Sequence, residues 1–257
     1  MAMTRLHGKA SPAAADWHVA WHMVPTGIRT RIKRFAGLVG PPVGQVSMGD
    51  FAGVQPVSRH FGHDRGTPID RWYIERFLAA HAIDIRGRAL EVGDDAYCRR
   101  FGTAVTRQDV LHVDPDAAQA TIVGDMNGPD VLPEGAFDCL VITQTLHLIA
   151  DYRAAVEQMH RALAPGGTLL LTVPGVSSVD RGEWGEDWLW SFTARALRLI
   201  IEPTFGAENA EVVAHGNVYA ATCFLQGLSV QEVDEEKLAY EDPAYPLIVT
   251  VRATRAD

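Results

Sequence analysis

From residue 88 onward, short apolar runs alternate with stretches of helical periodicity. Arg88–Gly93 (R-A-L-E-V-G), Asp109–Asp114 (D-V-L-H-V-D) and Ala120–Asp125 (A-T-I-V-G-D) each read as a strand. The first is closed by a glycine and the next two by an acid. Phe137–Thr143 is apolar almost throughout, the pattern of a strand buried on both faces. Asp151–Leu163 places Val156, Met159 and Leu163 on one face at helical spacing, and Pro165-Gly166-Gly167 stops it. Further strands are expected at Thr168–Val173, Glu211–Ala214 and Leu247–Arg252, with helices near Thr193–Ile201 and Val218–Gln226. Upstream, Ile74, Phe77 and Leu78 form the apolar stripe of a helix over Arg71–Ala82, with Asp70 expected as its N-cap. Strands alternating with helices imply βαβ units. The expected fold is therefore α/β: a Rossmann-like, seven-stranded, mostly parallel sheet with helices on both faces.

The N-terminal region reads differently. Residues 1–16 are rich in Ala, Ser, Pro and Gly, and Trp17–Leu38 carries Ile28, Ile32, Phe35 and Leu38 between Arg29, Arg31, Lys33 and Arg34. This is a short basic amphipathic helix, broken at Gly40-Pro41-Pro42-Val43-Gly44. The expected organisation is an arm and amphipathic helix over 1–45, then one domain over 46–257 with an insertion at about 174–193.

Charge and cysteine content narrow the function. A balance of 23 Lys+Arg against 32 Asp+Glu gives a net charge of −9. A field of that sign repels phosphate backbones and anionic membranes, so neither nucleic acid nor a membrane is expected as partner. No segment approaches the ~18 consecutive apolar residues of a membrane span. Cys98, Cys139 and Cys223 are odd in number and form no C-x-x-C pair. Buried free thiols in a reducing, cytoplasmic setting are expected, and Met1–Ala15 lacks the continuous apolar core of a signal peptide. Metal binding is not expected, since no H-x-x-x-H, C-x-x-C or carboxylate triplet has ligand spacing.

In an open parallel sheet, ligands bind beyond the carboxyl ends of the strands. Those ends carry Glu91-Val92-Gly93, Asp114, Asp125 and Thr143-Gln144-Thr145-Leu146-His147. Carboxylates accept hydrogen bonds from a ribose diol or an exocyclic amine and repel phosphate. Asp114 and Asp125 thus suit an adenosine-type ligand without pyrophosphate. The first loop lacks G-x-G-x-x-G, which argues against a dinucleotide.

On these residues the chain resembles the class I S-adenosylmethionine (SAM)-dependent methyltransferases. Leu90-Glu91-Val92-Gly93-Asp94-Asp95-Ala96-Tyr97 looks like the family's first motif, and Asp114, 23 residues after Glu91, stands where its ribose-binding acid falls. Gly124-Asp125-Met126 matches the adenine-contacting position. Phe137–His147 looks like the fourth-strand motif, and Leu163-Ala164-Pro165-Gly166-Gly167-Thr168-Leu169-Leu170 is similar to the loop and fifth strand. The flanking segments, among them Pro42-Val43-Gly44, Phe61–Glu75 and Arg99-Arg100-Phe101-Gly102, resemble a narrower, type 11-like subgroup associated with bacterial small-molecule and sugar modification. The resemblance implies SAM as cofactor, held by Glu91, Gly93, Asp114, Asp125, Met126, Thr143 and Gln144. It implies a small-molecule acceptor, most naturally a hydroxyl in natural-product or sugar metabolism. One departure stands out: Asp95 and Tyr97 occupy the places of the family's second and third loop glycines.

Three side chains are candidates for the chemistry. His147 follows the fourth strand and, with an ordinary pKa near neutrality, would serve as a base toward a hydroxyl; flanking Leu146, Leu148 and Ile149 equally fit a buried core histidine. His63 belongs to a polar cluster with His60, Asp64 and Arg65 that reads as a lid or as a loop tied by its own ion pairs. Tyr73 is a nearby hydroxyl. Trp184, Trp188 and Trp190 lie in the insertion and would line an acceptor pocket or pin a long loop, and His215 ends the sixth strand. Two rival readings keep the scaffold: a SAM-binding cyclase or isomerase, and a non-catalytic partner subunit. A homodimer is compatible with the sequence.

Overall fold

The computed structural model describes residues 24–35, 40–182 and 184–256. The arm expected over 1–16, and residues 17–23 and 36–38 of the basic helix, lie outside the described residues. The chain divides into two units, Met1–Val54 and Gln55–Asp257. In the first, α1 spans Thr26–Phe35 and a 3-10 turn spans Gly49–Ala52.

The second unit is built on one seven-stranded sheet: β1 (Arg86–Val92), β2 (Ala104–His112), β3 (Ile122–Val123), β4 (Phe137–Thr143), β5 (Leu163–Pro174), β6 (Ala210–His215) and β7 (Ile248–Thr254). The strand order is β3-β2-β1-β4-β5-β7-β6. The first five strands pair in parallel, and β7 runs antiparallel to both β5 and β6. This is the mostly parallel α/β sheet that the alternation of apolar runs predicts. The order reverses between β1 and β4, where loops diverge and leave a crevice.

Side chains alternate along each strand, so the sheet has two apolar faces. Leu90, Leu140, Ile142, Leu169, Leu171, Val249 and Val251 pack on one face with α4 (Tyr152–Ala162) and α5 (Ala194–Phe205). Ala89, Cys139, Val141, Leu170 and Ile248 pack on the other with α2 (Ile69–Ala80), α3 (Ala96–Phe101) and α6 (Val218–Leu225). A short helix, α7, follows at Glu235–Leu238. Each fully buried Leu or Ile contributes about 1.5–3 kcal/mol to this double core. Cys98, Cys139 and Cys223 are free and buried within it.

Several boundaries differ from the sequence expectation: β2 begins at Ala104, ahead of Asp109, and β5 at Leu163, running through Pro165-Gly166-Gly167. Strand β2 ends at His112, because the His112 Nδ1 accepts the Asp114 N–H at 3.0 Å and turns the chain out of the ladder. Strand β3 keeps two residues: just before it the Thr121 hydroxyl, a side-chain group, accepts from Val110 N–H at 2.9 Å. Helix α2 begins at Ile69 with Pro68 at the N-cap, so Asp70 is a first-turn residue rather than the cap. A Pro flanking the start fits a position whose N–H would have no helical partner. Among the described residues no helix is long and apolar enough to cross a membrane. None of their His, Cys, Asp and Glu side chains group in a way that could hold a metal ion.

Candidate active site

The carboxyl ends of β1, β2, β3 and β4 open onto a cavity of about 890 Å³. That is ample for one drug-sized molecule and its partner group. One wall is backbone-rich. Gly93 follows β1 with φ +87°, and a Cβ there would meet nothing within 4 Å. The glycine therefore takes the left-handed turn at no steric cost and presents bare backbone to the cavity. Its N–H donates to Leu111 O at 3.0 Å, tying the turn to β2.

Glu91, one residue before the end of β1, is only 1% exposed. Its two oxygens accept the N–H groups of Tyr97 (3.1 Å) and Cys98 (2.8 Å), the open donors at the start of α3. Burial pushes its carboxyl up to about 7, against the pull of those two N–H groups. Glu91 thus holds the first loop to the sheet while lining the cavity.

At the end of β3, Asp125 lines the cavity and is exposed. Its Oδ1 accepts from Asn127 N–H and Asn127 Nδ2, both at 2.9 Å. Asn127 Oδ1 in turn accepts from Ala150 N–H at 2.8 Å, joining this loop to the one after β4. Met126 is 5% exposed and serves both the core and the wall. Asp114 behaves otherwise. His112 and Val113 stand on the wall, but Asp114 does not; its carboxylate accepts from Asp116 N–H at 2.9 Å in a local turn. The chain leaves β2 two residues before this acid.

After β4, Thr143 and Gln144 line the cavity. Gln144 adopts φ +48°, costly for a residue with a side chain. It is held there by its N–H to Thr172 O (2.9 Å) and its amide to Thr172 Oγ1 (3.2 Å) on β5. The strained turn brings His147 onto the wall, 2% exposed, with its Nδ1 lacking any hydrogen-bond partner. Burial pushes the imidazolium down to about 4, so His147 is neutral at physiological pH and a much weaker base than an ordinary histidine.

The opposite wall is aromatic. Leu189 and Trp190 both donate their N–H to His147 O, at 3.0 and 3.2 Å, and Trp190 Nε1 donates to Ile149 O at 2.9 Å. This pins the 176–190 segment over the β4 turn. The Trp188 ring lies 4.3 Å from the His147 ring and stacks on Phe61 at 6.1 Å and 6°. Phe61 also meets Phe224 of α6 at 5.9 Å. Trp184 and Trp188 line the cavity; Trp190 does not, but packs on Tyr152. From α2 and α3 come Asp70, Arg71, Glu75, Tyr97 and Arg100, which the motif reading did not single out as wall residues.

The polar cluster before α2 splits. His63 lines the cavity. Asp64 accepts from Ser58 and Arg65 pairs with Glu232, so those two tie the loop down. Tyr73 is a correction: it lies outside this cavity, facing a second one of about 470 Å³. Its hydroxyl is buried and donates to Leu238 O at 2.8 Å. A helix turns about 100° per residue, so Tyr73, two residues on, faces away from Arg71. His215 lines that second cavity too, between Glu241 (3.2 Å) and Thr250 (3.0 Å).

The family model described as a methyltransferase domain matches residues 58–211 of this chain. The chain belongs to that family and is a SAM-dependent methyltransferase of class I. Among solved structures it is similar to the (4+2)-cyclase SpnF: 15% identity, 75% of this chain and 83% of that one, TM-score 0.49. It is likewise similar to a SAM-dependent methyltransferase from Archaeoglobus fulgidus, at 10% identity, covering 72% and 94%, TM-score 0.48. A 69-residue stretch is 32% identical to "Probable polyketide synthase 10" of Dictyostelium discoideum, and spans 26% of this chain but 3% of that protein.

The wall fits SAM. The open backbone at Gly93 admits close approach, the Asp125 carboxylate on the wall suits hydroxyls and amines rather than phosphates, and the volume exceeds that of a nucleoside alone.

Proposed function

We propose that the chain transfers the methyl group of SAM to a hydroxyl of a small-molecule acceptor in natural-product or sugar metabolism. One observation carries this reading: a single cavity is shared by the Gly93–Asp125 wall and the aromatic wall of Phe61, Trp188 and His147. A donor on the first wall and an acceptor on the second would lie in contact. The short likeness to a polyketide synthase supports a natural-product setting.

SAM, when bound, supplies a methyl group already activated by the sulfonium charge. What remains for the protein is positioning, the larger part of the acceleration in such a transfer. In this reading Gly93 gives backbone access, and Glu91 holds the loop that frames the amino-acid end. Asp125 and Asn127 receive the adenosine, with Met126 beneath it. Asp125 Oδ2 accepts no hydrogen bond among the described residues, so it is open to a ligand. Thr143 and Gln144 shape the floor through the strained turn. The neutral His147 accepts a hydrogen bond from the acceptor hydroxyl and fixes the direction of its lone pair. It takes up the departing proton only as the oxygen becomes acidic during transfer. Trp188 excludes water from this pair, and His63 closes the open side.

The test is mass spectrometry of small hydroxylated compounds incubated with the protein and SAM. A gain of one methyl on an oxygen is expected. An isomeric product would instead support a cyclase or isomerase, and no calorimetric heat with SAM would support a non-catalytic subunit.

A further inference from the structure

The charges on the cavity wall are unevenly matched. Both arginines stand beside carboxylates: Arg71 lies 3.9 Å from Asp70, at the limit of an ion pair, and Arg100 donates to Glu75 at 2.7 Å. The other basic groups on the wall are the imidazoles His63, His112 and His147. Among the described residues, then, no unpaired guanidinium or ammonium faces the cavity. Two carboxylates, Asp180 and Asp187, line it from the same segment that carries Trp184 and Trp188. Asp180 accepts the N–H groups of Gly182 and Trp184, both at 3.0 Å, which favours its charged form. Among the described residues neither Asp180 nor Asp187 has a cationic side-chain partner within ion-pair distance.

The aromatic geometry points the same way. Trp184 and Trp188 both line this wall, and an indole attracts a cation through the ring quadrupole. An anion beside Trp184 and Trp188 would face Asp180 and Asp187, and like charges repel. A cation would meet two carboxylates and two indoles. Independently of these charges, His147 has a buried, unpartnered Nδ1 on the same wall, which marks the spot as awaiting a polar ligand atom.

We propose that the acceptor is recognised through a positively charged group, a protonated or quaternary amine, held between Asp180, Asp187 and the rings of Trp184 and Trp188. An acceptor that presents a phosphate or carboxylate to this wall is disfavoured by the same two acids. This rests on the methyltransferase reading of the cavity and narrows its acceptor class. It concerns the group by which the acceptor is held, not the atom that is methylated.

The test uses tryptophan fluorescence and calorimetry on the full chain with three probes of similar size: benzyltrimethylammonium, benzyl alcohol and benzoate. Each is titrated with and without S-adenosylhomocysteine. Benzyltrimethylammonium is expected to bind at least about tenfold more tightly than benzyl alcohol, with benzoate weakest, the range of a desolvated cation–π contact plus a carboxylate. Asp187→Asn and Trp188→Leu should each weaken the cation about tenfold while leaving S-adenosylhomocysteine affinity within about twofold, which also shows that the variants fold. Equal binding of the three probes, or a preference for benzoate, overturns the proposal. So does undiminished cation binding in both variants. Absence of S-adenosylhomocysteine binding with cation selectivity intact would count against the methyl-donor reading alone.

Discussion

Trp188 covers His147, with ring centroids 4.3 Å apart and planes at 59°. The indole belongs to the segment after β5 and the imidazole to the turn after β4, so the contact joins two loops that the sheet places side by side. The indole is one of the groups that cover the histidine, and burial is what lowers its basicity. Taking the indole away should reverse both. In Trp188→Ala, water reaches the ring and the His147 pKa is expected to climb from about 4 toward the ordinary ~6.5. The measurement is an NMR titration of the histidine Cε1–H signal. A pKa unchanged in the variant would mean that other groups bury the ring.

The same shift sets the pH dependence of turnover. A group that works neutral loses function only when it is protonated, so the acid limb of kcat/KM should fall near pH 4 rather than near ~6.5. In His147→Gln, which keeps a hydrogen-bonding side chain, turnover is expected to drop about 10- to 100-fold, and this limb should vanish. Wild-type turnover with the same limb would remove His147 from the chemistry.

Glu91 and His147 act oppositely on stability. The carboxyl of Glu91 is raised from 4.5 to about 7, so between those values the folded protein holds a proton that the unfolded chain has released. Its contribution to stability therefore declines as pH rises through that window. His147 is lowered from 6.5 to about 4; there the unfolded chain binds the extra proton, and stability grows as pH rises. The two slopes partly cancel. Glu91→Gln removes one of them. Its stability relative to wild type should improve by up to about 3 kcal/mol between pH 5 and pH 8, superimposed on a constant loss from the missing second acceptor for Tyr97 and Cys98 N–H. Urea unfolding at intervals across that range checks it, and a difference independent of pH would contradict the assignment.

Tyr73 separates stability from function. Its hydroxyl serves only Leu238 O and faces the second cavity. Tyr73→Phe should cost about 1 kcal/mol of stability, the usual net worth of such a bond, with methyl transfer unchanged. Thermal unfolding and a turnover assay together decide this; a large loss of activity at unchanged stability would return Tyr73 to the list of acting groups.

The legible part of this molecule was its periodicity. Runs such as Phe137–Thr143 and Leu169–Val173 are apolar enough that only a two-faced buried strand accommodates them, and their alternation with helices defines the sheet. The strand-end motif residues Gly93, Asp125 and Gln144 were visible for the same reason: the ends of such strands are where ligands bind. What stayed hidden depended on contacts between distant segments. Tyr73 and Arg71 sit two positions apart on one helix, yet a two-residue step turns them to different cavities. Asp114 lies in the expected place along the chain, but the His112 ring captures its N–H and diverts it. The aromatic wall needs Phe61, Trp188 and Phe224 to meet from three segments, and no local pattern records that. The low basicity of His147 likewise follows from what covers it and not from its neighbours in sequence.

A methyl-donor site at the β1 and β3 ends must hold a nucleoside. Isothermal titration with S-adenosylhomocysteine tests this in wild type, Asp125→Ala and Asp114→Ala. One-to-one binding is expected in wild type, weakened about tenfold or more in Asp125→Ala, equivalent to loss of a hydrogen bond to a charged group. Asp114→Ala, off the wall, should stay within about threefold. No heat from wild type at millimolar ligand, or a loss confined to Asp114→Ala, would contradict the site described.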